Sequence, residues 1–157
     1  MKLYLVRHGA ATPVEENPEQ PLSEKGRQDI QRLAVFMARS GVQVVRVIHS
    51  GKKRAQDTAV LLADVVGPGK VVEEAESGLG PDESTDLLAT AAEALTEDTM
   101  IVGHQPFLGR MVARLLAGAE DAISVAFEPG TVACLERSDN GGGWHLDWMA
   151  GPKLLGQ

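Results

Sequence analysis

Two arginines and two histidines, Arg7, His8, Arg54 and His104, supply the side-chain types that chemistry at a phosphoryl group needs. A guanidinium presents a rigid fork of donors that can hold two phosphate oxygens. A neutral imidazole can attack phosphorus, and a second can donate to a phosphate oxygen. The placement of these residues repeats. Arg7-His8-Gly9 follows the apolar run at 3–6, His49-Ser50-Gly51 follows the run at 44–48, and Gly103-His104-Gln105-Pro106 follows the run at 100–102. One such ending is an ordinary loop opening. Three of them point to a single site, because open α/β sheets bind ligands just beyond the carboxyl ends of their strands.

The elements that would position these groups alternate. Short apolar runs bounded by Gly, Pro and Ser read as buried strands at 3–6, 44–48, 71–72 and 100–102. Ile30, Leu33, Ala34 and Met37 recur at helical spacing after Ser23, a good N-cap, and Gly41 suits the end of that helix. A second helix reads over 53–66, with Arg54 in its first turn, where unpaired amides also favour anions. A third runs from Ser84 or Thr85 to about Leu95. A fourth starts near Pro106 and carries Leu108, Met111, Val112, Leu115 and Leu116. Residues 10–22 hold Pro13, Pro18 and Pro21 and read as a loop, either a site wall or a plain connector. In the last third, runs at 123–127, 131–135 and 144–148 read as strands, and Asn140-Gly141-Gly142-Gly143 suggests an antiparallel hairpin. The expected architecture is a single α/β domain over 1–157. It is a three-layer α/β/α sandwich with a mostly parallel sheet and antiparallel additions toward the C-terminus.

Composition narrows the class. The 157 residues suit one domain with a real core, and 43% are hydrophobic. No apolar run approaches the roughly 18–20 residues of a membrane span. The chain runs from Met1-Lys2 straight into the first strand, so no signal peptide is expected. Cys134 is the only cysteine, which excludes an internal disulfide and a Cys-based metal cluster. Cytoplasm is the expected compartment. A net charge of −7 argues against general nucleic-acid binding but not against an anionic substrate met by a few convergent cations.

The ordered set of motifs resembles the histidine phosphatase superfamily, also called the phosphoglycerate mutase-like fold. The matching stretches are Leu-Val-Arg-His-Gly at 5–9, Pro-Leu-Ser-Glu-Lys-Gly at 21–26, His-Ser-Gly-Lys-Lys-Arg-Ala-Gln-Asp-Thr-Ala at 49–59 and Val-Gly-His-Gln-Pro at 102–106. The small size and the C-terminal pattern are most similar to the bacterial SixA-type phosphohistidine phosphatases. The resemblance implies that His8 is a nucleophile forming a phosphohistidine intermediate. Arg7, Arg54 and His104, with Gly9 and Ser50, would then bind the phosphoryl group. His104 is expected to work protonated, and the ring nitrogen of His8 that does not attack to donate to a backbone carbonyl near Gly9. Activity is expected to fall as His8 protonates near its usual pKa of about 6.5. No metal or other cofactor is implied.

The chain departs from larger members at the general acid. Ala10 stands where many carry an acid after Arg-His-Gly. The candidates for a proton donor are Glu73, Glu74, Glu76, Asp82 and Glu83; Asp82 is nearest in placement, although a solvated acidic loop is the preferred reading. An alcohol leaving group needs a proton in the transition state. A phosphorylated imidazole needs less help, since its ring can be protonated beforehand. Lys52 and Lys53 read as surface lysines, Gln105 as a pocket-lining candidate, and His49 and His145 as structural or exposed.

The leading expectation is therefore a phosphatase acting on phosphohistidine in a protein, such as a histidine phosphotransfer domain. A phosphatase of a small phosphorylated metabolite is the alternative with the same mechanism. A non-catalytic phosphoprotein-binding module is the alternative of another class. No nucleic-acid or membrane partner is expected.

Overall fold

A computed structural model describes residues 1–156. Six strands form one sheet in the order β3-β2-β4-β1-β5-β6. In chain order the elements are β1 (Lys2–Arg7), α1 (Glu24–Arg39), β2 (Arg46–His49), α2 (Lys53–Val66), β3 (Glu73–Glu74), α3 (Asp86–Ala94), β4 (Thr99–Gly103), α4 (Phe107–Ala117), β5 (Val132–Arg137) and β6 (Trp144–Ala150), with a 3₁₀ turn at Pro152–Leu154. β1, β2, β3 and β4 are parallel, whereas β5 and β6 add antiparallel neighbours beyond β1.

Alternation along β1 explains the three layers. Tyr4 and Val6 pack with Ile30, Leu33 and Met37 of α1 and Ala59 and Leu62 of α2. Leu3 and Leu5 point the other way, onto Phe107, Leu108 and Met111 of α4 and Leu88 of α3. A strand buried on both faces reads as a continuous apolar run, as this one does. The architecture is the expected α/β sandwich.

Register brings the three strand ends together. Arg7 of β1 lies opposite Gly103 of β4. His49 of β2 lies opposite Val102 of β4. The His8 amide continues the ladder by donating to Gly103 O at 3.1 Å. His8, Ser50 and His104 thus leave neighbouring strands at nearly the same level.

Two strand expectations need correction. The short strand expected at 71–72 lies instead at Glu73–Glu74, where the backbone pairs with Ile48 and His49 of β2 and Glu73 also holds Arg46 of that strand; Val71 is 67% exposed. The run at 123–127 forms no strand. Its carbonyls are taken by side chains: Val125 O accepts from Gln105 Nε2 at 3.1 Å, and Phe127 O accepts from Arg7. The segment is a strap across the carboxyl end of the sheet.

Candidate active site

Arg7 is the last residue of β1. Its Nη1 donates to Phe127 O at 2.6 Å, which ties the guanidinium to the strap. Its Nε is buried and has no hydrogen-bond partner. Such an orphan donor calls for a ligand, since buried polar groups are ordinarily paired. Burial first, and then the charge of Arg54, lower its pKa from the usual arginine value. It stays cationic at neutral pH.

His8 is 8% exposed, and its Nδ1 lies 2.7 Å from Gly9 O. A carbonyl can only accept, so Nδ1 carries the proton and Nε2 carries the lone pair. The expected bond to a backbone carbonyl near Gly9 is thus made by Nδ1. The expected acid limit shifts, however. Burial lowers the His8 pKa most; the Gly9 bond opposes it, and Arg54 and Arg7 lower it further, to about 4. The ring is neutral throughout the physiological range.

The turn after His8 is held from both sides. The Gly9 amide donates to Thr58 Oγ1 at 3.0 Å. Ala10 O accepts from the Ser23 amide at 2.9 Å and from Ser23 Oγ at 3.1 Å. Ser23 also caps α1 by accepting from the Gly26 amide at 3.0 Å. A Cβ on Gly26 would meet Ala10 O at 2.0 Å, so only glycine lets the helix approach this closely. The loop at 10–22 has an anchored base. Ala11 bridges Leu22, Thr12 N donates to Pro21 O at 2.8 Å, and Leu22 N donates to Asp57 Oδ2 at 3.2 Å.

Arg54 sits in the first turn of α2, as expected, and burial lowers its pKa. His104 is 2% exposed, and its ring lies 5.0 Å from that of His8, centroid to centroid. Ser50 Oγ is 2.6 Å from His104 Nε2. The surroundings of His104 set its charge state. Burial, followed by His8, Arg54, Lys52 and Arg7, lowers its pKa to about 3. A dianion placed among these groups would oppose that shift.

The carboxylate candidates separate. Glu73 pairs with Arg46 through two bonds of 2.9 and 2.8 Å. Glu83 accepts from the Gly78 amide at 3.0 Å and from the Gly80 amide at 2.5 Å, so it brackets its own loop. Glu74, Glu76 and Asp82 are exposed. No hydrogen bond among the described residues links any of the five to Arg7, His8, Arg54 or His104.

Gln105 braces the segment at 123–127: its Oε1 accepts from the Gly109 amide at 2.7 Å while its Nε2 donates to Val125 O at 3.1 Å. His49 is buried, and its Nδ1 accepts from the Gly51 amide at 3.1 Å, a structural role. His145 is exposed beside Glu136. Lys53 pairs with Asp57 at 2.8 Å. Two participants escape sequence reading. Phe127 contributes only a carbonyl, which leaves no mark on side-chain pattern. Thr58 lies four residues after Arg54 on α2, and that spacing was a usable signal.

Among the described residues, no group of three or more His, Cys, Asp or Glu side chains is placed to hold a metal ion. No helix among them is long and apolar enough to cross a membrane.

Comparisons with known proteins bear on the family and the fold. Residues 3–77 match the family model of the histidine phosphatase superfamily (branch 1). An uncharacterized protein of Picosynechococcus sp. is 30% identical over 126 residues, covering 75% of this chain and 74% of that protein. The structure of the protein histidine phosphatase SixA complexed with tungstate aligns with a TM-score of 0.86 at 24% identity, covering 99% of this chain and 100% of that one. A phosphoserine phosphatase from Entamoeba histolytica in complex with phosphoserine aligns at 0.70 with 15% identity, covering 97% and 98%. The two structural likenesses are likenesses of fold. With its matching family model and its motifs brought to one end of the sheet, the chain belongs to the histidine phosphatase superfamily.

Proposed function

We propose that this chain is a phosphatase that hydrolyses phosphohistidine on a protein, such as a histidine phosphotransfer domain, by way of a phosphohistidine formed on His8. The observation that carries the mechanism is the 2.7 Å bond from His8 Nδ1 to Gly9 O, which leaves Nε2 with the lone pair. Nε2 attacks phosphorus as the bond to the leaving nitrogen breaks, and the leaving imidazole departs as a neutral ring because it was protonated beforehand. Arg7 and Arg54 hold the phosphoryl oxygens, and His104 donates to one of them. The Gly9 amide is committed to Thr58, so Gly9 serves through its carbonyl. Ser50 serves by holding the His104 ring. Water then attacks the phosphorus on His8, releasing inorganic phosphate and restoring the neutral ring.

Leaving-group chemistry supports phosphohistidine as substrate. Glu73 and Glu83 are committed elsewhere, and Asp82, the nearest remaining candidate, is exposed. A site without a held acid suits a leaving group that needs no proton in flight. The SixA likeness supports the same direction.

The test is phosphate release from a phosphohistidine peptide and from para-nitrophenyl phosphate, with wild type and His8→Ala side by side. Peptide turnover that requires His8 and exceeds ester turnover is expected. Dominant ester turnover would point to a small-metabolite phosphatase. Phosphate binding without turnover of either would point to a binding module.

A further inference from the structure

We infer that Thr58 is a positioning residue for the His8 nucleophile: its buried hydroxyl fastens the Gly9 turn to α2 and so fixes which nitrogen of His8 faces the phosphoryl group. The inference rests on the role proposed above for His8. Thr58 is fully buried on α2. Its Oγ1 donates to Arg54 O, one turn back on the same helix, at 2.8 Å. A hydroxyl has one proton, and that bond uses it. The oxygen toward Gly9 is therefore an acceptor, and the Gly9 amide donates to it at 3.0 Å.

Gly9 makes the clamp necessary. A Cβ at this position would come within 2.9 Å of Ile30 Cγ1, 3.0 Å of Leu22 Cδ2 and 3.1 Å of Gly26 O. The packing of α1 therefore excludes other residues. Glycine, however, is the residue least constrained by its own backbone. The turn that must present its carbonyl to His8 Nδ1 is thus built from the one residue that does not hold itself in place. Thr58 holds the nitrogen side of that residue. Ser23 holds the next carbonyl, at Ala10. Between these two anchors, Gly9 O stays 2.7 Å from Nδ1. With the Gly9 amide released, the turn can rotate, the proton can move to Nε2, and the nucleophilic lone pair then points at backbone instead of phosphorus.

The geometry also separates Thr58 from phosphate binding. The bond to Arg54 is made by its carbonyl, inside a helix whose own ladder supports it. Removing the hydroxyl is therefore expected to spare phosphate binding by Arg54.

The experiment compares Thr58→Val, which keeps the shape, with Thr58→Ser, which keeps the hydroxyl. Three quantities are read: the tautomer of His8 by 15N NMR of histidine-labelled protein, inorganic phosphate affinity, and kcat on a phosphohistidine peptide. The His8 signals are assigned by their loss in His8→Ala. Thr58→Val should populate the Nε2–H tautomer and lower kcat roughly tenfold, the scale of one buried hydrogen bond, with phosphate affinity changed less than about twofold. Thr58→Ser should restore the Nδ1–H tautomer and most of kcat. An unchanged tautomer in Thr58→Val overturns the inference, as does equal loss of tautomer and rate in Thr58→Ser. The tautomer is read without turnover, so failure of the phosphatase reading would leave this result intact and separately visible.

Discussion

The rings of His8 and His104 stand 5.0 Å apart, tilted by 55° to each other, with Arg7 and Arg54 pressing on both. Burial above all, and then the positive groups around them, make both imidazoles poor places for a further positive charge. Both are therefore neutral before substrate arrives. A neutral His8 is ready to attack. A neutral His104 can still donate one hydrogen bond, and a phosphoryl dianion supplies the charge that favours its protonation.

This relationship moves the acid limit of the free enzyme. NMR titration of unliganded protein should give a His8 midpoint near pH 4 and one for His104 near pH 3. A His8 midpoint at the ordinary value of about 6.5 would contradict the burial argument.

Stability should follow the same groups. With both pKa values depressed on folding, the unfolded chain binds more protons than the native one below about pH 6.5. The contribution to stability is fully present above that pH and is lost as the pH falls toward about 4 for His8 and about 3 for His104. Denaturant midpoints should therefore rise with pH across this window, and the rise should be shallower in His104→Asn.

Arg7→Lys should lower kcat/KM by about 10²–10³, the cost of a lost oxyanion donor. The ammonium cannot both reach Phe127 O and present a fork to phosphate. The matching check is steady-state kinetics beside a circular dichroism spectrum that stays native.

Gly26→Ala should destabilise the protein by on the order of 2–4 kcal/mol, because the new methyl must displace the Ala10 carbonyl. Denaturant unfolding measures it. A change below about 0.5 kcal/mol, the scale of an ordinary surface substitution, would mean that α1 does not press on the turn.

Asp82→Asn separates the acidic loop from the chemistry. Turnover of a phosphohistidine peptide should stay within about twofold, since no proton donor is required for that leaving group. A large loss on this substrate would reinstate Asp82 as the acid.

The sequence exposes most of this site because its key side chains sit at strand ends. Arg7, His8 and His104 each interrupt an apolar run, and Arg54 opens a periodic helix. Parallel register then does the gathering, with Arg7 opposite Gly103. Other features leave weaker traces. The 123–127 run has strand-like residues, yet its carbonyls serve Gln105 and Arg7 across 20 and 120 residues of chain. Thr58 meets Gly9 across 49 residues. The protonation states depend on burial by elements distant in sequence, so the ordinary solution value for an imidazole misplaces both histidines.

The most direct test of the account is chemical trapping on His8. Protein mixed with a 32P-labelled phosphohistidine peptide and quenched in alkali should carry an acid-labile, alkali-stable label on His8, absent from His8→Ala. Turnover persisting in His8→Ala, or phosphate release by wild type with no trapped label on His8, would contradict the covalent mechanism.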